Sequence, residues 1–101
     1  MRQGVCAADA LQPGEKRAVD LGHRHVVVVR AADGSFHVLI DVCPHQGARL
    51  SAGPLAGDVL RCPWHNFGFD IRTGRSVLEP DRYRVKRYDV AIEDGEVVVD
   101  V

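Results

Sequence analysis

The chain has 101 residues, of which 46% are hydrophobic and 27% are charged, which is the composition of a soluble globular protein. This length suits one domain with a modest core, and we expect residues 1–101 to form a single domain. The formal net charge of −1 argues against a nucleic-acid-binding protein, which would usually carry a strongly basic face. There is no apolar run near the roughly 20 residues of a membrane span, and the first residues lead into no apolar signal segment. We therefore expect a cytoplasmic protein that does not enter a membrane.

The first half of the chain predicts short β-strands separated by turns. Residues 4–7 form a weak candidate for an edge strand, and residues 16–21 alternate polar and apolar side chains as a half-buried strand does. Residues 24–30 contain four consecutive valines, whose β-branched side chains favour a sheet over a helix. The pair Asp33-Gly34 is a hairpin signal, and we expect the next strand at residues 36–40.

The second half continues the same pattern, and there is no window of 11 to 18 residues with a convincing helical period. Many short strands with frequent turn signals are typical of an all-β sandwich or barrel. We expect five further strands, at residues 58–61, 67–71, 75–78, 83–93 and 96–101, with Val97, Val99 and Val101 on one face.

Two cysteines and two histidines are gathered in the middle of the chain. Cys43 and His45 stand in one group, Cys62 and His65 in another, and sixteen residues separate His45 from Cys62. Soft thiolates and borderline imidazoles presented on two loops are the ligands that a metal cluster needs. A zinc ion also accepts two cysteines and two histidines, so a structural zinc site is the alternative at this point.

The remaining cysteine and the other histidines carry simpler expectations. Cys6 has no obvious disulfide partner and is expected to be a small buried hydrophobic residue. His23, His25 and His37 lie in strand-like segments, and we expect them to be partly exposed strand residues that bind no metal.

The two groups of ligands resemble those of the Rieske ferredoxins. The resemblance rests on Cys-Pro-His-Gln-Gly-Ala from Cys43, Cys-Pro-Trp-His from Cys62, the turn at residues 69–74 and the hairpin at residues 93–95, and it extends from about residue 13 to Val101. It implies an antiparallel β-sandwich or barrel with a cluster-binding subdomain formed by two inserted loops. These loops would span about residues 43–51 and 62–69, and a covering loop would lie near residues 79–81.

The resemblance also implies roles for individual residues. Cys43 and Cys62 would bind the inner iron of one [2Fe–2S] cluster per chain, and His45 and His65 would bind its outer iron. The residues expected to surround the cluster are Gln46, Gly47, Trp64, Asn66, Phe67 and Pro80.

Departures from the high-potential Rieske proteins of respiratory chains predict a low reduction potential. Those proteins have an extra cysteine in each loop, where this chain has Ala48 and Trp64, so the disulfide between the loops is absent. They also place serine and tyrosine hydroxyls near the cluster, at positions that Phe67 and Phe69 occupy here. Because such hydroxyls stabilise the reduced cluster, we expect a potential in the lower part of the Rieske range.

The implied function is electron transfer for another protein's reaction. We expect a monomeric carrier, not itself an enzyme, that passes single electrons from a flavin-dependent reductase to a terminal oxygenase that hydroxylates aromatic rings. The small Rieske subunit of a nitrite reductase is one alternative, and a zinc-stabilised binding module is another.

A basic run precedes the predicted C-terminal hairpin. Arg82, Arg84, Lys86 and Arg87 alternate with apolar and aromatic residues, and we expect them to form mostly a solvated strand face. A docking patch for an acidic reductase or oxygenase is the second possibility.

Overall fold

The structure is a computed structural model that describes residues 1–44, 47–64 and 67–101. The predicted site residues His45, Gln46, His65 and Asn66 lie outside the described residues. In chain order the strands are β1 (Arg2–Ala7), β2 (Lys16–Asp20), β3 (His25–Arg30), β4 (Phe36–Ile40), β5 (Leu55–Ala56), β6 (Val59–Arg61), β7 (Gly68–Asp70), β8 (Arg87–Glu93) and β9 (Glu96–Asp100).

These strands form two antiparallel sheets, as the all-β prediction requires. The larger sheet has the order β1-β9-β8-β4-β3-β2, and the smaller has the order β5-β6-β7. Within the described ranges the helical segments are two 3₁₀ turns of three residues each, Ala8–Ala10 and Leu50–Ala52. The described residues contain no helix long and apolar enough to cross a membrane.

The expected strand at residues 75–78 is absent, and the strand expected at residues 83–93 begins four residues later than predicted. Ser76 makes a single bridge to Phe69, Arg75 makes one to Arg84, and β8 begins only at Arg87. The short strand β5 was not expected, because residues 54–57 contain a proline and a glycine that indicate a loop.

The reason for the absent strand and the late start of β8 is that residues 74–85 fold back on themselves. The amide of Val85 donates to the carbonyl of Gly74 at 2.7 Å, and the amide of Ser76 donates to the carbonyl of Tyr83 at 3.0 Å. Pro80 lies in the turn at the tip of this segment. We call residues 74–85 the third segment, since it follows the two loops that carry the cysteines.

The four valines of β3 are buried on both faces of the larger sheet. Val26 and Val28 share a core with Val97 and Val99 of β9, which is three strands away in the same sheet. This contact requires the larger sheet to curl, so that it forms a half-barrel. The other buried members of this base core are Cys6, Leu11, Val38 and Tyr88, and Val101 packs at its edge as expected.

The alternate valines face a second core, which joins the two sheets. Val27 and Val29 pack in one group with Leu60 of β6 and Phe69 of β7. Each such fully buried side chain stabilises the fold by roughly 1.5–3 kcal/mol. The other buried members of this loop core are Ala31, Leu39, Cys43, Leu50, Cys62, Ile71 and Val85.

Two arginines join the sheets at the edge of the loop core. Arg72, in the turn after β7, donates from Nε to Asp58 and from Nη2 to Asp33, both at 2.9 Å. Arg87 of β8 donates from Nε to the carbonyl of Ile71 at 3.0 Å. Asp33 belongs to the β3–β4 turn and Asp58 to the β5–β6 turn, so these bonds connect the smaller sheet to the larger one.

His37 lies beside this joint, and it is not the partly exposed residue expected from the sequence. Its side chain is on β4 with only 9% of the residue exposed. Nδ1 lies 3.4 Å from Nη2 of Arg87, and Nε2 lies 2.9 Å from the Ser35 hydroxyl, which donates to Asp33 at 2.6 Å. Because an arginine can only donate, Nδ1 must accept and the proton of a neutral imidazole must sit on Nε2.

The surroundings of His37 favour this neutral form. Burial lowers the pKa of His37 below its usual range, and the charges of Arg72 and Arg87 lower it further, against the smaller opposing effects of Asp33 and Asp58. The Ser35 hydroxyl and amide, together with Arg72, hold the pKa of Asp33 well below its usual range. The carboxylate therefore stays charged and the imidazole neutral in the folded protein.

This arrangement predicts that acid weakens the joint between the sheets. A histidine whose pKa is lowered on folding contributes fully above its unfolded pKa of about 6.5, and the contribution is lost as the pH falls through the folded value. We expect the thermal midpoint of the wild-type protein to fall, relative to that of His37→Gln, as the pH is lowered below about 6.5. His23→Gln, at an exposed site, is the control and should follow the wild type. Parallel curves for wild type and His37→Gln would contradict the assignment.

Candidate metal centre

The two predicted cysteine ligands meet in the loop core. Cys43 follows β4 and Cys62 follows β6, and both are completely buried free thiols. Burial raises the pKa of the Cys62 thiol; the backbone N–H of Trp64, which donates to its sulfur, opposes this, and the hydrogen-bonded Cys43 thiol adds to it. Two adjacent sulfurs with an amide donor aimed at one of them are typical of a site that binds metal through thiolates.

Each cysteine loop is closed by a backbone hydrogen bond, and the two bonds join equivalent positions. The amide of Cys43 donates to the carbonyl of Ala48 at 2.8 Å, and the amide of Cys62 donates to the carbonyl of Phe67 at 2.7 Å. In each case the acceptor stands five residues after the cysteine. The first loop has a further bond from the amide of Gly47 to the carbonyl of Cys43, and Gly47 has a φ of 75°, which favours glycine.

The first loop is tied to the larger sheet by a buried carboxylate that the sequence analysis missed. Asp41, two residues before Cys43, is fully buried and accepts from the Ser51 amide at 2.7 Å and from its hydroxyl at 2.6 Å. Lys16 of β2 donates to the carbonyl of Ser51 at 2.7 Å. Arg49 lies 3.9 Å from Asp41. The 3₁₀ turn Leu50–Ala52 is thus held from β2 and from the residue that follows β4.

A close backbone contact brings the second loop to the first. Gly53 ends the turn that follows the first loop, and a Cβ at this position would overlap the carbonyl oxygen of Arg61, the residue before Cys62. The amide of Arg61 donates to the carbonyl of Pro54 at 3.0 Å. The glycine therefore allows the two cysteine-bearing segments to lie side by side.

The aromatic residues near the second loop separate into packed and exposed side chains. The ring of Phe67 lies 5.5 Å from that of Phe69 and 5.2 Å from that of Tyr83, the latter edge to face. Trp64, in contrast, is 61% exposed. Phe67 thus connects the second loop to the third segment, and Trp64 contributes to the surface beside Cys62.

Pro80 lies in an exposed turn of the third segment. The carbonyl of Glu79 accepts from the amides of Arg82 and Tyr83, at 3.0 and 3.1 Å, and so closes this turn. The bridge from Ser76 to Phe69 and the ring contact of Tyr83 place the third segment against the second loop. The covering role expected of Pro80 stays a prediction.

The basic run does not form one strand face. Arg87 is engaged in the joint between the sheets, and Arg82 lies 3.4 Å from the Glu79 carboxylate. Residues 82–86 precede the strand and belong mostly to the third segment. Arg84 and Lys86 are exposed.

The remaining expectations concern residues away from the loops. Cys6 is a buried free thiol of the base core, as expected, and burial raises its pKa. His25 is half-buried at the start of β3, and His23 is exposed in the bend before it. Among residues 1–44, 47–64 and 67–101, there is no group of three or more histidine, cysteine or acidic side chains that could hold a metal ion.

The described half of the site fits the predicted cofactor. The buried sulfurs of Cys43 and Cys62 lie together, on two loops that are closed by equivalent backbone hydrogen bonds, and the amide of Trp64 points at the sulfur of Cys62. A cluster requires such sulfurs and donors, and a zinc ion would accept the same two sulfurs. Each loop continues into its histidine two or three residues after the cysteine.

Comparisons with known proteins agree with this arrangement. A family model described as the Rieske [2Fe–2S] domain matches residues 1–89. The ferredoxin component of the p-cumate 2,3-dioxygenase system of Pseudomonas putida is 36% identical over 99 residues, which are 97% of this chain and 84% of that protein. A chain in a solved complex of reduced oxygenase and oxidised ferredoxin of carbazole 1,9a-dioxygenase is 37% identical, with a TM-score of 0.88, over 97% of this chain and 100% of that one.

A further solved structure bears on the alternative function. It is a candidate NADH-dependent nitrite reductase small subunit from Mycobacterium tuberculosis, with 27% identity and a TM-score of 0.87. The match covers 98% of this chain and 93% of that one. The fold is therefore shared by proteins of both functional classes.

The buried carboxylate before the first loop gives a testable prediction. In Asp41→Ala the amide and hydroxyl of Ser51 lose their acceptor, which should lower the free energy of unfolding by about 1–3 kcal/mol and loosen the first loop. Asp41→Asn keeps one acceptor oxygen and should behave more like the wild type. Urea unfolding and iron content per chain measure the two effects. Equal iron content in all three proteins would show that Asp41 does not position the loop.

Proposed function

The chain belongs to the Rieske [2Fe–2S] domain family, and we propose that it carries single electrons from a flavin-dependent reductase to the terminal oxygenase of an aromatic-ring-hydroxylating system. The observation that carries the proposal is the buried pair of thiols, Cys43 and Cys62, at the meeting point of two loops closed in the same way. The ferredoxin component of the p-cumate dioxygenase system, which resembles this chain over nearly its whole length, supports the same role.

The ligands of the cluster would come from both loops. Cys43 and Cys62 would hold one iron of a single [2Fe–2S] cluster, and His45 and His65 would hold the other. When bound, this group supplies a site that takes up and releases one electron. The residues expected around it are Gln46, Gly47, Trp64, Asn66, Phe67 and Pro80.

The surroundings of the thiols would favour a low reduction potential. The amide of Trp64 donates to the sulfur of Cys62, and this bond by itself raises the potential because it stabilises negative charge on the sulfur. The lack of hydroxyl donors acts in the opposite direction. Phe67 and Phe69 pack against each other and carry no hydroxyl that could add further donors. Burial of both sulfurs keeps water away from them, and Phe67 and Phe69 add no side-chain donor.

Further properties of the carrier form part of the proposal. The 101 residues would act as one domain, with cysteine loops at about 43–51 and 62–69 and a covering loop near 79–81. The protein would work as a monomer in the cytoplasm.

A nitrite reductase subunit is the second candidate. The similarity to the candidate small subunit from Mycobacterium tuberculosis favours it, at a lower sequence identity than that of the carbazole dioxygenase complex chain, 27% against 37%. A subunit would copurify with a large catalytic partner, whereas a carrier would be isolated alone. Size-exclusion chromatography from the native source separates these cases.

Spectra of the purified protein, together with one pair of variants, test the ligand set. We expect visible absorption and, after reduction, an electron paramagnetic resonance signal of a Rieske cluster with two irons per chain. His65→Ala should lose this signal because the outer iron loses one of its two protein ligands. His23→Ala should keep it, since His23 is exposed and outside the loops. A colourless protein with one zinc per chain would refute the cluster.

The reduction potential tests the carrier role independently. Rieske centres span roughly −150 to +300 mV, and we expect a midpoint in the lower part of that range. A redox titration of the purified protein, followed by its visible absorption, measures this value. A midpoint above about +100 mV would contradict the role of a donor to an oxygenase.

A further inference from the structure

Charge is distributed unevenly along this chain. Residues 41–87, which contain both cysteine loops and the third segment, hold eight of the 13 basic residues and five of the 14 acidic ones. The rest of the chain is therefore strongly acidic, although the whole has a formal charge of only −1. The sign of the net charge does not describe the part of the molecule that would exchange electrons.

Ion pairs neutralise many of these cations. Carboxylates lie within 4.0 Å of several arginines, which are Arg49, Arg72, Arg75 and Arg82. Among the cations that have no carboxylate within this distance in the described part of the chain are Arg24, Arg84 and Lys86. The four residues outside the described ranges include no acidic one.

Two of the unpaired cations lie against the same aromatic ring. The guanidinium of Arg24 is 5.8 Å from the centre of the Tyr88 ring, and the ammonium of Lys86 is 5.3 Å from it. Arg24 donates to the Tyr88 hydroxyl at 3.0 Å, and its Nε is buried with no hydrogen-bond partner in the described structure. The ring thus holds two like charges near each other, and they concentrate positive potential there.

The strand register places these cations beside the first cysteine loop. The amide of Ile40 donates to the carbonyl of Lys86, and the amide of Asp41 donates to the carbonyl of His25. Arg24 directly precedes His25 and Arg84 stands two residues before Lys86, so both cations belong to the segments that border the chain just before Val42. Val42 is 38% exposed and immediately precedes Cys43.

We propose that the electron-transfer partner docks on Val42 and on the surrounding cationic rim of Arg24, Arg84 and Lys86, through a face of its own that carries carboxylates. This inference rests on the proposed function, because it assumes that a redox centre lies behind Cys43. The exposed Val42 supplies an apolar contact with the partner, and the three cations of the rim steer the partner's acidic face toward Val42. Charges at a rim mainly change the rate of association and its dependence on salt.

Small oxidants of opposite charge test the local field at the site of electron exit. The protein is reduced with dithionite, freed of excess reagent and mixed with ferricyanide or with tris(phenanthroline)cobalt(III), each of which takes one electron from it. We expect the ferricyanide rate to fall about fivefold or more between about 10 mM and about 0.5 M salt, and the cobalt rate to rise. If the rates depended on the net charge of the whole protein, the ferricyanide rate would rise with salt and the cobalt rate would fall. That result would overturn the proposal.

Charge-reversal variants locate the effect. Lys86→Glu and Arg84→Glu should each lower the ferricyanide rate about threefold at low salt. Arg17→Glu is the matched control: Arg17 is exposed on β2 opposite Val28 of β3, which is four residues after Arg24, so its rate should stay near that of the wild type. If a reversal disturbs folding, Lys86→Gln and Arg84→Gln replace it. An equal fall in Arg17→Glu would mean that only net charge matters, which refutes the rim.

Nuclear magnetic resonance gives a readout that does not depend on electron transfer. Hexacyanochromate(III), a redox-inert anion, should broaden the amide signals of Arg24 and Lys86 in the oxidised protein while leaving that of Arg17 sharp. Uniform broadening would overturn the proposal. Failure of the proposed function would look different, since a protein without a cluster would show no recovery of cluster absorption with either oxidant.

Discussion

The candidate site depends on a backbone contact between two segments that are distant in sequence. Eighteen residues separate Cys43 from Cys62, and their thiols can share a buried point only if the chain returns to its starting place. Gly53 permits this return, because its lack of a side chain lets it lie against the carbonyl of Arg61. Hydrogen bonds from Ser51 to Asp41 and from Lys16 to Ser51 then fix the returning segment on the larger sheet. Without this contact the cysteines would belong to two unrelated loops.

Most of the architecture could be predicted from the sequence because its signals are local. The four valines of β3 and the alternation in β2 and β9 predict a sheet from side-chain shape and periodicity alone. The third segment was mispredicted for a physical reason. Its residues have strand propensity, but the bonds from Val85 to Gly74 and from Ser76 to Tyr83 close it into a loop of its own. Propensity could not reveal this pairing, which depends on the path of the chain around Pro80.

In the candidate site, too, the residues with a local sequence signal were predicted, and those that depend on the path of the chain were not. Cys43 and Cys62 were identified from their spacing and flanking residues, whereas Asp41 and His37 carried no recognisable signal. A single aspartate before a cysteine is common, and only the three-dimensional path shows that it accepts two hydrogen bonds from Ser51. His37 was expected to be partly exposed because it stands among strand residues, yet the joint of Arg87 and Ser35 buries it. Residues that position a site are thus harder to predict than residues that bind.

The contact at Gly53 also explains what the distance between the two cysteine groups does and does not specify. Between Gly53 and Arg61 the chain makes only the short hairpin of β5 and β6, whose tip is the exposed Gly57 with open space around it. The two ends of that hairpin are already fixed, so residues inserted at Gly57, before the Asp58 that Arg72 holds, would not move either cysteine. Related chains could therefore differ by several residues between the two groups and still build the same centre. The length of the hairpin sets the number of residues between the two cysteine groups. The contact at the base of the hairpin brings the two sulfurs together.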